Sequence, residues 1–243
     1  MSLISSNTKG KVIGLIGGLT WLSSMDYYRL LNQLYEEKTG GSELPRIIIY
    51  SVDFGEIKVL TQSGNWDGIT AIISDAARKV EAAGADCLML GANTMHKIAD
   101  AVQESIRIPL IHIAAETAET IADNQLKKVA LLGTKYTMQL DFYRAKLAAR
   151  GIETIIPEGL DIDIINDAIY NEMSKGNFLP ETKAAYLKII GKLLERGAEG
   201  IILGCTEIPI LIKQEDCPVP VFDTTLIHAT AAVRFARKDL PTP

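Results

Sequence analysis

A single cysteine carries the strongest chemical signal in the sequence. Cys205 follows the apolar run 201–203 and Gly204, and precedes a stretch that could begin a helix. A thiol at the N-terminus of a helix is expected to have a lowered pKa, because the positive end of the helix dipole favours the thiolate. The sequence therefore predicts that Cys205 acts as a base or a nucleophile, against the alternative of a small buried hydrophobe.

One carboxylate and the two other cysteines give weaker signals than Cys205. Glu207 lies two residues beyond Cys205 and could accept or relay a proton, but contact with the first turn of a helix explains it equally well. Cys87 begins another apolar run and is assigned to the core, and Cys217 is assigned to a loop without a function. An odd number of cysteines without ligand spacing favours free thiols in a reducing compartment.

Four glycine-containing segments each follow an apolar run that is typical of a strand. Their side chains could act as helix caps or as donors that hold an anion. Because the carboxyl ends of parallel strands meet at one edge of a sheet, such loops are expected to converge on one cleft. The candidate donors in these loops are Asn93, Thr94, Thr134, Thr137 and Thr206.

The elements that position these loops alternate along the chain. Short β-branched runs alternate with segments of helical period, which is typical of a parallel sheet with helices on both faces. Strands are predicted at residues 12–16, 46–50, 87–90, 110–113, 129–132, 153–156, 201–203 and 219–222. Helices are predicted at 67–83, 114–125, 140–150, 181–196 and 225–238.

An internal repeat indicates two lobes. Residues 84–94 align without gaps with residues 197–207, and this alignment pairs Ala92 with Cys205. The prediction is an α/β fold of two pseudo-symmetric lobes, each a mainly parallel sheet flanked by helices, with the active site in the cleft between them. The first lobe is predicted to span 1–115, with a C-terminal helix at 225–243 packing back on it, and the second lobe 116–224.

Composition and charge exclude several classes of protein. The chain has 243 residues, 47% of them hydrophobic and 23% charged, which excludes a disordered scaffold. A net charge of −5 without a basic block argues against nucleic acid as a partner. No apolar run approaches the roughly 20 residues that span a bilayer, and no secretory signal is recognised, so we expect no membrane partner and a cytoplasmic location.

Histidines and metal ligands give weaker signals. His96 and His112 could act as bases, but positions on a predicted helix and a predicted strand favour structural histidines. The chain has no set of histidine, cysteine and carboxylate residues at ligand spacing, so no metal site is expected.

The chain resembles the aspartate/glutamate racemases, cofactor-independent amino-acid racemases related to hydantoin racemases, maleate isomerases and arylmalonate decarboxylases. The resemblance covers nearly the whole sequence. It rests on the segments 17–21, 51–54, 93–97, 130–134 and 204–208. It implies two pseudo-symmetric lobes, usually a homodimer, no cofactor, a small acidic amino acid as substrate, and one thiol from each lobe on opposite sides of the substrate α-carbon.

The resemblance also implies roles for individual residues. Cys205 is one base, with Glu207 beside it. The family is expected to supply a cation from each lobe for a side-chain carboxylate; this chain offers Lys175, whereas the first lobe has no arginine in register between Ser51 and Lys58. The residues that it implies for substrate binding are Gly18, Leu19, Ser51, Asn93, Thr94, Thr134, Thr137, Lys175 and Thr206.

Position 92 departs from the family pattern. The first base of the family maps to Ala92, and alanine transfers no proton; losing one positioned acid or base costs about 10²- to 10⁴-fold. An engineered replacement of a cysteine or threonine would explain it, as would a natural enzyme that uses water or the Thr94 hydroxyl as the second acid. Two other functions also stay open: a single-cysteine decarboxylase of the arylmalonate type, and a catalytically inactive dicarboxylate-binding protein.

Overall fold

The computed structural model describes residues 10–41 and 43–237. The strands are β1 (Ile13–Gly17), β2 (Ile47–Ser51), β3 (Cys87–Leu90), β4 (Lys128–Gly133), β5 (Glu153–Ile155), β6 (Ile201–Gly204) and β7 (Val221–Asp223). The helices are α1 (Trp21–Thr39), α2 (Phe54–Gln62), α3 (Trp66–Ala82), α4 (Ala99–Glu104), α5 (Ile113–Asp123), α6 (Lys135–Gln139), α7 (Asp141–Ala148), α8 (Leu160–Asn171), α9 (Pro180–Glu195), α10 (Ile208–Leu211) and α11 (Thr224–Arg237). Short 3₁₀ helices cover Thr94–Ile98, Met173–Lys175 and Gln214–Asp216.

The strands form two parallel sheets. The first has the order β2-β1-β3 and the second the order β5-β4-β6-β7. Apolar side chains cover both faces of each sheet, which explains the nearly continuous hydrophobic runs of β1, β3, β4 and β6. The predicted α/β fold with helix-flanked parallel sheets is confirmed.

The internal repeat is visible in matching contacts. Asp86, which precedes β3, accepts a hydrogen bond from the backbone of Val12 at 2.6 Å. Glu199, which precedes β6, accepts hydrogen bonds from the backbones of Lys127 at 2.6 Å and Lys128 at 3.1 Å. In each lobe an acidic side chain thus fixes the start of one strand against its neighbour.

The prediction of a strand at 110–113 was wrong. Only Leu110 bridges β3, opposite Leu88, and α5 begins at Ile113. The side chain of Gln103 accepts a hydrogen bond from the backbone of Leu110 at 2.7 Å, so a glutamine takes the place of a neighbouring strand. The remaining predicted strands were found with ends shifted by no more than two residues.

Helices α5 and α11 connect the lobes. Ala229 and Ala232 of α11 share a buried cluster with Ile13 and Leu31 of the first lobe. By contrast, α5 packs against β4 and α7 of the second lobe. The predicted division at 115/116 lies within α5 and stays a prediction. Residues 238–243 of the predicted C-terminal helix lie outside the described residues.

Two tyrosines anchor these helices. The Tyr27 hydroxyl of α1 hydrogen-bonds to Nδ1 of His228 on α11 at 2.9 Å. The Tyr143 hydroxyl of α7 donates to Thr117 of α5 at 3.1 Å. The tyrosine of the first lobe therefore binds α11, which follows the second sheet. The tyrosine of the second lobe binds α5, which follows the first sheet.

All three histidines of the chain lie together in the interior. The His96 ring lies 4.8 Å from His112 and 5.4 Å from His228, measured between centroids. Burial lowers the pKa of His112 to about 4, aided by nearby Lys146, and that of His228 to about 3, aided by His96. Burial also lowers the pKa of His96 well below its ordinary value, so all three histidines are neutral at neutral pH. The structural interpretation of His96 and His112 stays a prediction, because Nε2 of His96 and Nδ1 of His112 have no hydrogen-bond partner among the described residues.

We expect acid to destabilise the fold through these histidines. Their folded pKa values lie below the unfolded value of about 6.5, so the stabilisation is complete above that pH and is lost as pH falls toward 4 and 3. For His112 the full difference is about 3 kcal/mol. Urea unfolding at pH 8, 6, 5 and 4 should show a smaller acid loss in His112→Asn. Equal losses in both proteins would contradict this.

Candidate active site

A cavity of about 400 Å³ lies between the carboxyl ends of the two sheets. The loops after β1, β3, β4 and β6 line it, together with α2 of the first lobe and α8 of the second. The convergence of the four loops follows from the parallel strand direction within each lobe.

Eight of the predicted site residues line this cavity. They are Leu19, Ala92, Asn93, Thr94, Thr134, Cys205, Thr206 and Glu207. Four do not line it, namely Gly18, Ser51, Thr137 and Lys175. Lys175 is exposed, and its neighbour Ser174 faces the cavity instead.

Gly18 and Thr137 support the lining from outside. Gly18 has φ of +76°, and a β-carbon there would lie 2.2 Å from the Val52 carbonyl oxygen, so the turn after β1 requires glycine. The Thr137 hydroxyl lies 3.2 Å from that of Thr94 and 3.3 Å from that of Thr134, both in the lining. Both residues therefore position the cavity wall.

The Cys205 thiol donates a hydrogen bond to Oε2 of Glu207 at 3.0 Å. Burial raises the pKa of the thiol well above its ordinary value, and the Glu207 carboxylate raises it further. The expected lowering of this pKa was therefore wrong. The backbone amides of Thr206 and Glu207 do favour the thiolate, but α10 is only one turn long and burial outweighs them.

Glu207 is a buried carboxylate held by three neutral donors. Oε2 accepts from the Cys205 thiol and from the Thr206 hydroxyl at 2.7 Å, and Oε1 accepts from the Thr20 hydroxyl at 3.2 Å. Its side chain does not cap α10. The capping interpretation was therefore wrong, and the carboxylate lies where it can take the thiol proton.

Polar side chains of the first lobe face the same space. The Thr94 hydroxyl lies 3.0 Å from that of Thr134, across the boundary between the lobes. The Asn93 amide nitrogen donates to Thr224 at 3.1 Å, whereas its buried Oδ1 has no hydrogen-bond partner among the described residues. Such an acceptor at a cavity wall suits the ammonium group of an amino acid.

Ala92 occupies the first-lobe position that corresponds to Cys205. It follows β3 as Cys205 follows β6, and both residues line the cavity. The Ala92 carbonyl lies 3.1 Å from Nδ1 of His96, which holds the backbone of this loop. The cavity therefore has a thiol on the second-lobe side and a methyl group at the matching position.

The sequence reasoning missed the walls that α2, α6 and α8 provide. The main residues missed are Phe54, Lys58, Thr61, Gln62, Lys135, Tyr136, Asn166, Asp167, Tyr170 and Ser174. Tyr136 donates from its hydroxyl to the Thr61 carbonyl at 3.2 Å and contacts the Trp66 ring edge-on at 5.7 Å, so it joins the lobes beside the cavity. The signal that could have found Lys58 was a cation one turn into the helix after β2.

Within residues 10–41 and 43–237, no group of three or more histidine, cysteine, aspartate and glutamate side chains could hold a metal ion. No helix in the described part of the chain is long and apolar enough to cross a membrane.

Comparison with known proteins gives concordant results. The model of the Asp/Glu/hydantoin racemase family matches residues 16–232. The broad specificity amino-acid racemase RacX of Bacillus subtilis (strain 168) is 25% identical over 227 residues, which cover 91% of this chain and 96% of RacX.

Two crystal structures are similar at higher identity. One, from Yersinia pestis, is provisionally described as an Asp/Glu racemase; it is 44% identical with a TM-score of 0.87, over 93% of this chain and 99% of that one. The other, an aspartate racemase homologue from Pyrococcus horikoshii OT3, is 38% identical with a TM-score of 0.82, over the same shares.

Proposed function

Because the chain belongs to the Asp/Glu/hydantoin racemase family, we propose that it acts on the α-carbon of aspartate or glutamate without a cofactor. The observation that carries this proposal is the Cys205 thiol, hydrogen-bonded to Glu207 in a cavity between the lobes. Abstraction of an α-proton requires a base on one face of the substrate, and inversion requires an acid on the other. The chain supplies one such group as a thiol.

Substrate binding would use the polar lining. Oδ1 of Asn93, which has no partner among the described residues, accepts from the α-ammonium group, and the hydroxyls of Thr94 and Thr134 donate to the α-carboxylate. These donors also stabilise the second negative charge that develops on the carboxylate as the proton leaves. Thr206 also lines the cavity, but its hydroxyl proton is donated to Glu207.

The proton path would run through Cys205 and Glu207. The thiol proton moves to Oε2 of Glu207, and the thiolate then takes the α-proton and leaves a carbanion delocalised into the α-carboxylate. Return of a proton from Cys205 restores the starting enantiomer. Delivery from the side of Ala92, by water or by Thr94, gives the opposite one. The methyl group at position 92 makes that delivery slow, so this chain should racemise slowly.

Recognition of the side-chain carboxylate would fall to lysines. Lys58 of α2 and Lys135 of α6 line the cavity, one from each lobe, and replace Lys175 in this role. Their ammonium groups offer charge-assisted hydrogen bonds to a carboxylate, which suits an acidic amino acid.

The chain would act as a homodimer. Trp21, Met25 and Tyr28 lie on one face of α1 and are 65%, 61% and 54% exposed, an apolar surface suited to a second copy. The face adjoins the cavity, because Thr20 and Ser23 of the same helix start line it. Sedimentation as a monomer at micromolar concentration would contradict this.

Deuterium exchange tests the proposed activity. In heavy water, we expect one enantiomer of aspartate or glutamate to exchange its α-hydrogen faster than it racemises, because a thiol lies on one side of the cavity and a methyl group at the matching position on the other. Mass spectrometry measures exchange and chiral chromatography measures inversion. Binding of both enantiomers without exchange would contradict the proposal and favour a dicarboxylate-binding protein. Release of carbon dioxide from a malonate would favour a decarboxylase, for which one protonated thiol is sufficient.

A further inference from the structure

Glu207 receives a hydrogen bond from the opposite lobe. Two of its donors, Cys205 and Thr206, belong to the loop after β6, whereas the third, Thr20, belongs to the loop between β1 and α1. The Thr20 contact therefore exists only while the two lobes lie against each other at this point.

The direction of the Thr20 hydrogen bond is fixed by a second contact. Thr20 is the N-cap of α1, and its hydroxyl oxygen accepts a hydrogen bond from the backbone of Ser23 at 3.1 Å. A hydroxyl that accepts in this way has its single proton available for another partner, and Oε1 of Glu207 lies at 3.2 Å. Thr20 therefore donates to the carboxylate.

We propose that Thr20 is a positioning residue that keeps the proton on the Cys205 thiol by stabilising the charged form of Glu207 from the opposite lobe. This inference rests on the proposed role of Cys205 as a proton carrier. Hydrogen bonds to a carboxylate favour its charged form. Removal of the Thr20 hydroxyl leaves Glu207 a better acceptor and shifts the thiol proton toward Oε2.

Two phenols near this pair are neutral, whereas Lys58, Lys135 and Asp167 also line the cavity. Tyr170 of α8 and Tyr186 of α9 are electrostatically coupled to Cys205 and Glu207, and burial raises the pKa of each phenol far above neutral pH. The Tyr186 hydroxyl is already committed to the Ile165 carbonyl at 3.1 Å. The donors to Glu207 are thus a thiol and two hydroxyls, and Thr20 supplies the one that lobe separation would remove.

Helix α1 links the contact between Thr20 and Glu207 to the protein surface. Thr20 caps the helix whose exposed face carries Trp21, Met25 and Tyr28. A displacement of the start of α1 would move Thr20 relative to Glu207. The protonation of Cys205 would then respond to the approach of the lobes.

Alkylation of Cys205 by iodoacetamide, without substrate, tests this inference. Only the thiolate reacts appreciably. We expect Thr20→Val to raise the alkylation rate of Cys205 at pH 7 about tenfold, because roughly that shift follows from losing one hydrogen bond to a charged group. Thr20→Ser, which keeps the hydroxyl, should stay within about twofold of the unchanged protein. Peptide mass spectrometry separates Cys205 from Cys87 and Cys217.

The pH profile separates proton transfer from simple exposure. Transfer of the thiol proton to Glu207 adds the same amount of thiolate at each pH, so the relative gain shrinks as rising pH adds thiolate in both proteins. Greater exposure of the Cys205 thiol would instead raise the alkylation rate by the same factor at every pH. That result would overturn the inference, as would an unchanged alkylation rate at pH 7.

A second background removes the acceptor. In Glu207→Gln, the Thr20→Val change should alter alkylation less than about twofold, because the two residues act through one contact. A tenfold effect in that background would overturn the proposal. If the valine variant does not fold, Thr20→Ala removes the same hydroxyl. Because the assay contains no substrate, its failure is distinguishable from an absence of α-hydrogen exchange.

Discussion

Replacing Cys205 with serine is expected to lower the rate of α-hydrogen exchange about 10³-fold. A serine hydroxyl is nearly the size of the thiol but far less acidic, so it neither becomes the base nor returns the proton efficiently. The loss should appear in the rate of exchange rather than in substrate affinity, because substrate binding is proposed to depend on threonine hydroxyls and on the Asn93 amide rather than on the thiol. Mass spectrometry of aspartate and glutamate in heavy water measures the exchange.

Cys217 provides a matched control. It is buried in the core of the second lobe and does not line the cavity. Cys217→Ser should therefore lower stability through a buried hydroxyl and leave exchange within about twofold. Similar losses in both variants would indicate damage to the fold and contradict a chemical role for Cys205.

Replacing Ala92 with cysteine is expected to raise racemisation at least about tenfold. The change places a second thiol at the end of β3, in the position that matches Cys205 at the end of β6, so that a proton can be delivered from both lobes. The exchange supported by Cys205 alone should change little. Chiral chromatography measures inversion, and the ratio of inversion to exchange should rise with it.

Two further substitutions serve as a comparison and a control for Ala92→Cys. Ala92→Thr tests whether a hydroxyl suffices, and we expect a gain of the same direction. Ser63→Cys adds an exposed thiol outside the cavity and should have no effect. An unchanged racemisation rate in Ala92→Cys, with Cys205 still exchanging, would contradict the two-sided mechanism and favour a reaction that needs one acid.

The fold was predictable because its strands are continuous apolar runs. Buried parallel strands such as β1 and β4 need hydrophobic residues on both faces, and the glycines that follow them indicate where each loop begins. The pairing of Ala92 with Cys205 was also visible, because the two lobes have similar sequences around the end of one strand. The strand predicted at 110–113 was wrong, because the side chain of Gln103 takes the place of a neighbouring strand there.

The cavity walls were not predictable in the same way. Lys58 and Tyr170 lie on helices, and helical periodicity identifies only the face that packs on the sheet of the same lobe. Whether the other face borders a cavity depends on how the lobes are oriented, which no local pattern encodes. The same limit applies to the Cys205 pKa: position in the sequence suggested a dipole, whereas burial against Glu207 determines the direction.

The placement of α11 also bears on how the protein is made. Ile13 and Leu31 belong to the beginning of the chain, yet the alanines that cover them are near its end. During translation the strands of the first sheet emerge from the ribosome long before α11 does. One apolar face of that sheet therefore stays exposed to solvent until α11 is made. The nascent N-terminal half is therefore expected to be a substrate for chaperones, and a premature stop before Thr224 should yield insoluble protein.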